Sequence, residues 1–143
     1  MTFRTLFTMA LTAALWGCAI TQNVTPLARL DAKQVCIVEN PAVVQEGFLV
    51  AYRRVLQDKG YAVQTLPPGS ALTACPVTST YTANWRWDLA LYMACADIRV
   101  FKDGQQSGQA VYDALEGGLN MSKFIRGEEK IAELVDKLFP NAP

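Results

Sequence analysis

From Thr78 to Trp87 the side chains alternate without a break, with Thr78, Thr80, Thr82, Asn84 and Arg86 on one parity and Ser79, Tyr81, Ala83, Trp85 and Trp87 on the other. Successive side chains of a strand point to opposite faces, so this period of two commits the middle of the chain to sheet, with one polar and one mostly aromatic face. A turn near Trp87 and Asp88 leads into a strand over Leu89–Phe101, whose second half sets Ile98 and Val100 against Asp97 and Arg99. Lys102-Asp103-Gly104-Gln105 is a hairpin turn by its Asp-Gly pair, and a further strand follows at about Ser107–Leu115.

Upstream the pattern is different. Val35, Cys36, Ile37 and Val38, within Gln34–Glu39, form an apolar run suited to a strand buried on both faces. Asn40-Pro41 predicts a helix start, because Asn can cap free backbone N–H groups and Pro is tolerated at the first helical position. The helix should run to about Lys59 and stop at Gly60, with Val44, Phe48, Ala51, Tyr52 and Val55 as its buried stripe. A strand at Tyr61–Leu66 completes a strand–helix–strand unit and implies a parallel pair. Residues 67–76 read as a surface loop opened by Pro67-Pro68-Gly69. After Gly117-Gly118, a last helix beginning at Ser122 or near Gly127-Glu128 buries Ile131, Leu134, Val135 and Leu138, and Pro140 stops it. The expected fold class is α+β: a two-layer sandwich in the order β-α-β-β-β-β-α, its mixed, mostly antiparallel sheet covered on one face by two helices. Residues 33–139 make this single domain.

The N-terminus carries an address. Arg4 precedes an apolar stretch from Leu6 to Trp16, and Gly17-Cys18 closes it. This is the pattern of a bacterial lipoprotein signal peptide over residues 1–17, with Cys18 as the lipidated first residue of the mature chain. The stretch is too short for a bilayer core that needs roughly 20 apolar residues. Cleavage after Ala19 by an ordinary signal peptidase, or a buried helix, are the competing readings. Residues 18–32, with Pro26 and no sustained period, read as the lipidated cysteine and a flexible tether. Ala19, rather than an aspartate, follows Cys18, which by the sorting rule of enteric lipoproteins places the chain at the outer membrane with its domain in the periplasm.

Composition excludes several functions. Arg4 is the only charge in residues 1–17, so the mature part keeps 12 Lys and Arg against 13 Asp and Glu, and nucleic acid is not an expected partner. The sequence contains no histidine, which excludes Ser-His-Asp and Cys-His catalysis and His-bearing zinc sites. With Cys18 committed to lipid, three cysteines remain in an oxidising compartment, enough for one disulfide and one spare thiol. Cys36 begins a strand and Cys75 precedes another, so the expected pair is Cys36–Cys75, with Cys95 an inert thiol in the apolar run 89–96.

The aromatic strand is the one candidate binding feature. Tyr81, Trp85 and Trp87 could form a platform for sugars, peptides or acyl chains on an uncovered sheet face, with Arg86 on the reverse; alternating aromatics more often mark the face buried under helices. The exposure of Trp85 and Trp87 separates the two. Asp88 and Asp97 have no ligand-like spacing and read as solvated carboxylates or ion-pair partners. Ser107 and Ser122 lack a base, and Gly117-Gly118 lacks the Gly-Lys-Ser/Thr ending of a phosphate loop. No catalytic residue, metal or cofactor is expected.

The segments Cys36-Ile-Val-Glu-Asn-Pro41, Cys75-Pro76 with Thr80–Met93, and Asn120–Phe124 with Glu128–Ile131 resemble a small uncharacterised proteobacterial lipoprotein family of the locus-named Sbal type. The resemblance covers most of residues 33–139. It implies envelope residence and a lipidated N-terminus, and it assigns no catalytic residues. The element order is also similar to that of small outer-membrane assembly lipoproteins, a likeness of topology only. The resulting expectation is a non-enzymatic, lipid-anchored module that meets the membrane through its lipid and binds another envelope protein. A glycan- or lipid-binding domain using Tyr81, Trp85 and Trp87 is the alternative.

Overall fold

The computed structural model describes residues 19–143; the leader 1–17 and Cys18 lie outside the described residues. Six strands and two helices follow in the order β1 (Thr21–Thr25), β2 (Gln34–Val38), α1 (Glu46–Asp58), β3 (Ala62–Leu66), β4 (Val77–Asp88), β5 (Ala90–Lys102), β6 (Gln105–Asp113) and α2 (Gly127–Leu138), with a short 3-10 helix at Met121–Phe124 before α2. They form one mixed sheet in the order β1-β6-β5-β4-β2-β3. The fold is α+β, as the alternation of patterns implies.

β2 runs parallel to β3 and to β4, while β4, β5, β6 and β1 are joined antiparallel. The hairpin at Asp103-Gly104 has positive φ at both residues, 50° and 80°, the conformation an Asp-Gly pair is suited to. The β4–β5 turn uses Leu89 at φ 61°, an uncommon conformation for a branched aliphatic residue. One residue of β5 is skipped between the pairs Asn84↔Cys95 and Trp85↔Met93, so Ala94 forms a bulge that increases local twist.

Helix α1 is shorter at its start than the Asn40-Pro41 signal suggests. Asn40 makes a tight turn, its Oδ1 accepting from the Ala42 N–H at 3.0 Å, and its Nδ2 donates to the Tyr81 carbonyl at 2.9 Å. With that side chain holding the loop to β4, the helix begins at Glu46 and Val44 is exposed. Phe48, Tyr52 and Leu56 form its buried stripe. The C-terminal stop is as the sequence implies, with Lys59 as C-cap and Gly60 at φ 93°.

Residues 18–32 are not a free tether from Thr21 onward. Thr21–Thr25 pair antiparallel with Gln109–Asp113 of β6, and Leu27 and Leu30 are buried. The outer edge of β6 offers backbone groups that need partners, and a five-residue strand supplies them. Leu27 fits where Gly108 leaves space, since a Cβ at Gly108 would lie 2.9 Å from Leu27 Cγ. The Leu27 N–H also donates to the Leu138 carbonyl at 2.9 Å, fastening this segment to the end of α2.

The core lies between the helices and one sheet face. Val35, Ile37, Val77, Tyr81, Ile98, Val100, Ala110 and Tyr112 meet Phe48, Tyr52, Leu56, Ile131, Leu134, Val135 and Leu138 there. Cys36 and Cys75 are joined in a disulfide with Cα atoms 6.1 Å apart, tying β2 to the residue pair that precedes β4.

Candidate interaction surfaces

The parity of β4 has the reverse outcome from an aromatic platform on the open face. Tyr81 is buried, and its ring stacks on Phe48 with centroids 4.7 Å apart. Trp85 is half-buried and packs edge-to-face with Phe48, with ring centroids 6.3 Å apart. Both face the helices, while Thr82, Asn84 and Arg86 are exposed on the opposite parity. Trp87 shares their parity but is 74 % exposed, because the β4–β5 hairpin outruns the helices that cover the rest of the sheet. The four candidates thus divide into a core pair, Tyr81 and Trp85, and an exposed pair, Arg86 and Trp87.

Tyr81 still reaches a surface cavity. A half-open cavity of about 690 Å³ lies between the Glu39–Gln45 loop and α1, lined by Asn40, Val43, Leu49, Arg53 and the Tyr81 ring among others. Burial pushes the Tyr81 hydroxyl above its ordinary pKa, against the opposing pull of the Asn40 backbone N–H that donates to it at 3.4 Å. The group therefore stays neutral and offers a hydroxyl, not a charge.

The carboxylates have partners. Asp97 accepts from Arg99 at 2.7 Å and from Gln109 at 2.8 Å on the open face. Asp88 accepts from Lys123 Nζ at 2.5 Å, and the same ammonium donates to the Gly118 carbonyl. Lys123 is buried, 5.2 Å from the ring centroids of both Tyr92 and Phe124, so its charge is met by one carboxylate, one carbonyl and two aromatic faces. Among the described residues no cluster of three or more metal-ligating carboxylate, thiol or imidazole groups occurs. Ser107 bonds the Gln105 carbonyl, the Ser122 N–H bonds Asn120, and Cys95 is half-buried on β5 without a disulfide partner among the described residues.

Sequence reasoning missed a patch around the hairpin tip. Leu89 is 84 % exposed and Leu91 is also exposed; in the loop before the 3-10 helix, Leu119 is 96 % and Met121 72 % exposed. Lys123 holds the two segments together, since Asp88 and Gly118 bond the same nitrogen. One signal was available: Leu119 is a bulky apolar residue inside a Gly-Gly-Leu-Asn turn, where no core position is expected.

No protein-family model and no curated protein matches this chain. Among solved structures it is similar in fold to the PelC dodecamer from Paraburkholderia phytofirmans, at 12 % identity and TM-score 0.56, over 84 % of this chain and 94 % of that one. A point variant of the same PelC in a second crystal form gives TM-score 0.54 at 12 % identity, with the same coverage. A minor lipoprotein from Acinetobacter baumannii is more distant, at TM-score 0.33 and 12 % identity over 78 % of this chain and 85 % of that one. At this identity the PelC likeness shows a shared fold. Among the described residues no helix is long and apolar enough to cross a membrane.

Proposed function

We propose that this chain is a lipid-anchored, periplasm-facing lipoprotein of the outer membrane, without enzymatic activity, that serves as a protein-binding or assembly accessory module. The observation that supports this reading is the state of the two sheet edges. β1 (Thr-Gln-Asn-Val-Thr) and β3 (Ala-Val-Gln-Thr-Leu) are the outermost strands, and neither contains a charge or a proline. Proteins that stay monomeric usually guard such edges with lysine, proline or bulges, because an open row of N–H and C=O groups invites a further strand. Both edge strands are short, five residues each, but with no charge or proline within them they suit a protein that docks strands, either a partner's or those of a second copy. The PelC structures of similar fold are dodecamers, which makes a second copy a concrete partner to test.

Photo-crosslinking in cells from Asn23 and Gln64, one exposed residue on each edge, tests the reading. Adducts to an envelope protein or to a second copy are expected. Recovery of uncrosslinked monomer from both positions overturns it.

The 690 Å³ cavity beside Tyr81 favours a second reading, a domain that binds a glycan fragment or a lipid. Titration with peptidoglycan fragments or acyl lipids should then change tryptophan emission through Trp85, whose ring meets Phe48 on α1. An unchanged spectrum at saturating ligand removes this reading.

A further inference from the structure

We infer that the tip of the β4–β5 hairpin, with Trp87, Leu89 and Leu91, and the adjoining loop residues Leu119 and Met121 lie against the lipid surface that receives the acyl chains of Cys18. This rests on the lipid-anchor reading and adds a second, protein-borne contact to it. The register brings anchor and tip together. Thr21 pairs with Asp113, and Asp113 pairs with Cys95, so the chain enters the sheet at the end toward which the hairpin projects. Beyond Cys95, β5 continues to Ala90 with no β6 partner, leaving the tip standing past the body of the sheet.

The entry point is also fixed beside the loop. Ile20 lies against Gly117, where a Cβ would sit 3.4 Å from its Cγ1. Ile20 is two residues from the proposed lipid attachment point, and two residues span at most about 7 Å, so Ile20 and the Gly117 loop beside it stay near the membrane that takes the lipid. A lipid tether this short brings whatever surrounds Ile20 to the bilayer surface.

The chemistry of the tip suits that surface. Trp87 and Leu89 are among the most exposed large apolar side chains of the domain, at 74 % and 84 %. Tryptophan is favoured at the boundary between headgroups and acyl chains, where one part of the ring stays wet. The carboxylate at the tip, Asp88, is paired with the buried Lys123, although its side chain stays 53 % exposed. A contiguous exposed apolar patch in a protein marks a contact surface, and its position beside the anchor selects lipid over a soluble partner.

The test uses the mature lipidated chain with Trp85→Phe, which leaves Trp87 as its one tryptophan. It is reconstituted in phosphatidylethanolamine/phosphatidylglycerol vesicles with bromine-labelled acyl chains, and intact-mass spectrometry reports lipidation separately. Trp87 emission is expected to shift to the blue and to lose at least half its intensity relative to unlabelled vesicles. Adding Leu89→Asn and Leu119→Ser, exposed changes of which the first suits a positive φ, should cut that quenching at least twofold while lipidation and vesicle association persist. A lipidated, vesicle-bound chain whose Trp87 is unquenched overturns the inference and leaves the anchor standing. Blue-shifted but unquenched emission also overturns it, and assigns the patch to contact between copies. A chain without lipid sinks the anchor reading and the inference with it.

Discussion

The hydroxyl of Tyr52 on α1 lies 2.5 Å from Ser79 Oγ on β4, and Ser79 in turn donates to the Arg99 carbonyl of β5 at 2.9 Å. With the Ser79 proton committed to Arg99, Tyr52 is the donor of the first bond. A helix and two strands are thereby joined through one hydroxyl relay inside the core.

Tyr52→Phe removes the donor and leaves Ser79 with its bond to Arg99, so we expect a loss of about 1 kcal/mol in denaturant unfolding. Ser79→Ala leaves the buried Tyr52 hydroxyl without a partner and should cost more, about 2 kcal/mol. Equal effects of the two changes would show that the relay is not formed.

Burial pushes the Tyr52 hydroxyl well above the ordinary tyrosine range, and Tyr61, Tyr81 and Tyr112 are raised in the same direction by the same cause. A group whose folded pKa is raised contributes stability below its unfolded pKa, which is lost as pH climbs beyond it. Stability should therefore hold to about pH 10 and fall steeply above it. Absorbance at the phenolate band should rise for these residues together with loss of near-ultraviolet circular dichroism; phenolate formation by all tyrosines before unfolding would contradict this.

Glu133 is held at about 2, chiefly by hydrogen bonds from Lys130, then from Lys137 and Gln22. Gln22 belongs to β1, so this carboxylate also secures the N-terminal strand to α2. Its lowered pKa contributes stability above the unfolded value, lost as pH falls from about 4.5 toward 2. Because the site is partly solvated, Glu133→Gln should cost only about 1 kcal/mol at pH 7, and the difference from the parent should vanish near pH 2. A gap that stays constant with pH would refute the assignment.

Reduction of Cys36–Cys75 opens a loop with sequence separation 39. Loop-closure entropy puts the loss at about 4 kcal/mol. Denaturant midpoints with and without reductant measure it, and Cys36→Ala with Cys75→Ala should reproduce the reduced value.

Leu27, just beyond β1, and Gly108 of β6 form a matched pair. Leu27→Ala should cost about 2–3 kcal/mol as a buried truncation, and Gly108→Ala about 1–3 kcal/mol from crowding. Combined, they should cost less than their sum, because the smaller side chain makes room for the added methyl. Additive losses would show that the two side chains do not compete for the same space.

The sequence is most legible where a pattern repeats. The alternation of β4, the Asp103-Gly104 hairpin, the parallel β2/β3 unit and the stripe Ile131, Leu134, Val135, Leu138 all stand in the structure. β1 is not legible, since Thr-Gln-Asn-Val-Thr has no apolar face of its own and its conformation comes from the open edge of β6. The start of α1 misleads because Asn40 spends its side chain on Tyr81 rather than on a helix. For the aromatic parity, the pattern identifies which residues share a face but not where the helices end, and that boundary separates Trp85 from Trp87.

The strand order also has a consequence in time. Among the described residues β1 is the first element along the chain, yet its strand partner is β6, and Thr25 pairs with Gln109, 84 positions later. The chain emerges N-terminus first, so that partner arrives after every other strand of the sheet. Until then the N-terminal segment has nothing to zip onto, so the last seam of the sheet to close is the one nearest the N-terminus. A chain fixed early at that end would complete its folding by reeling itself in.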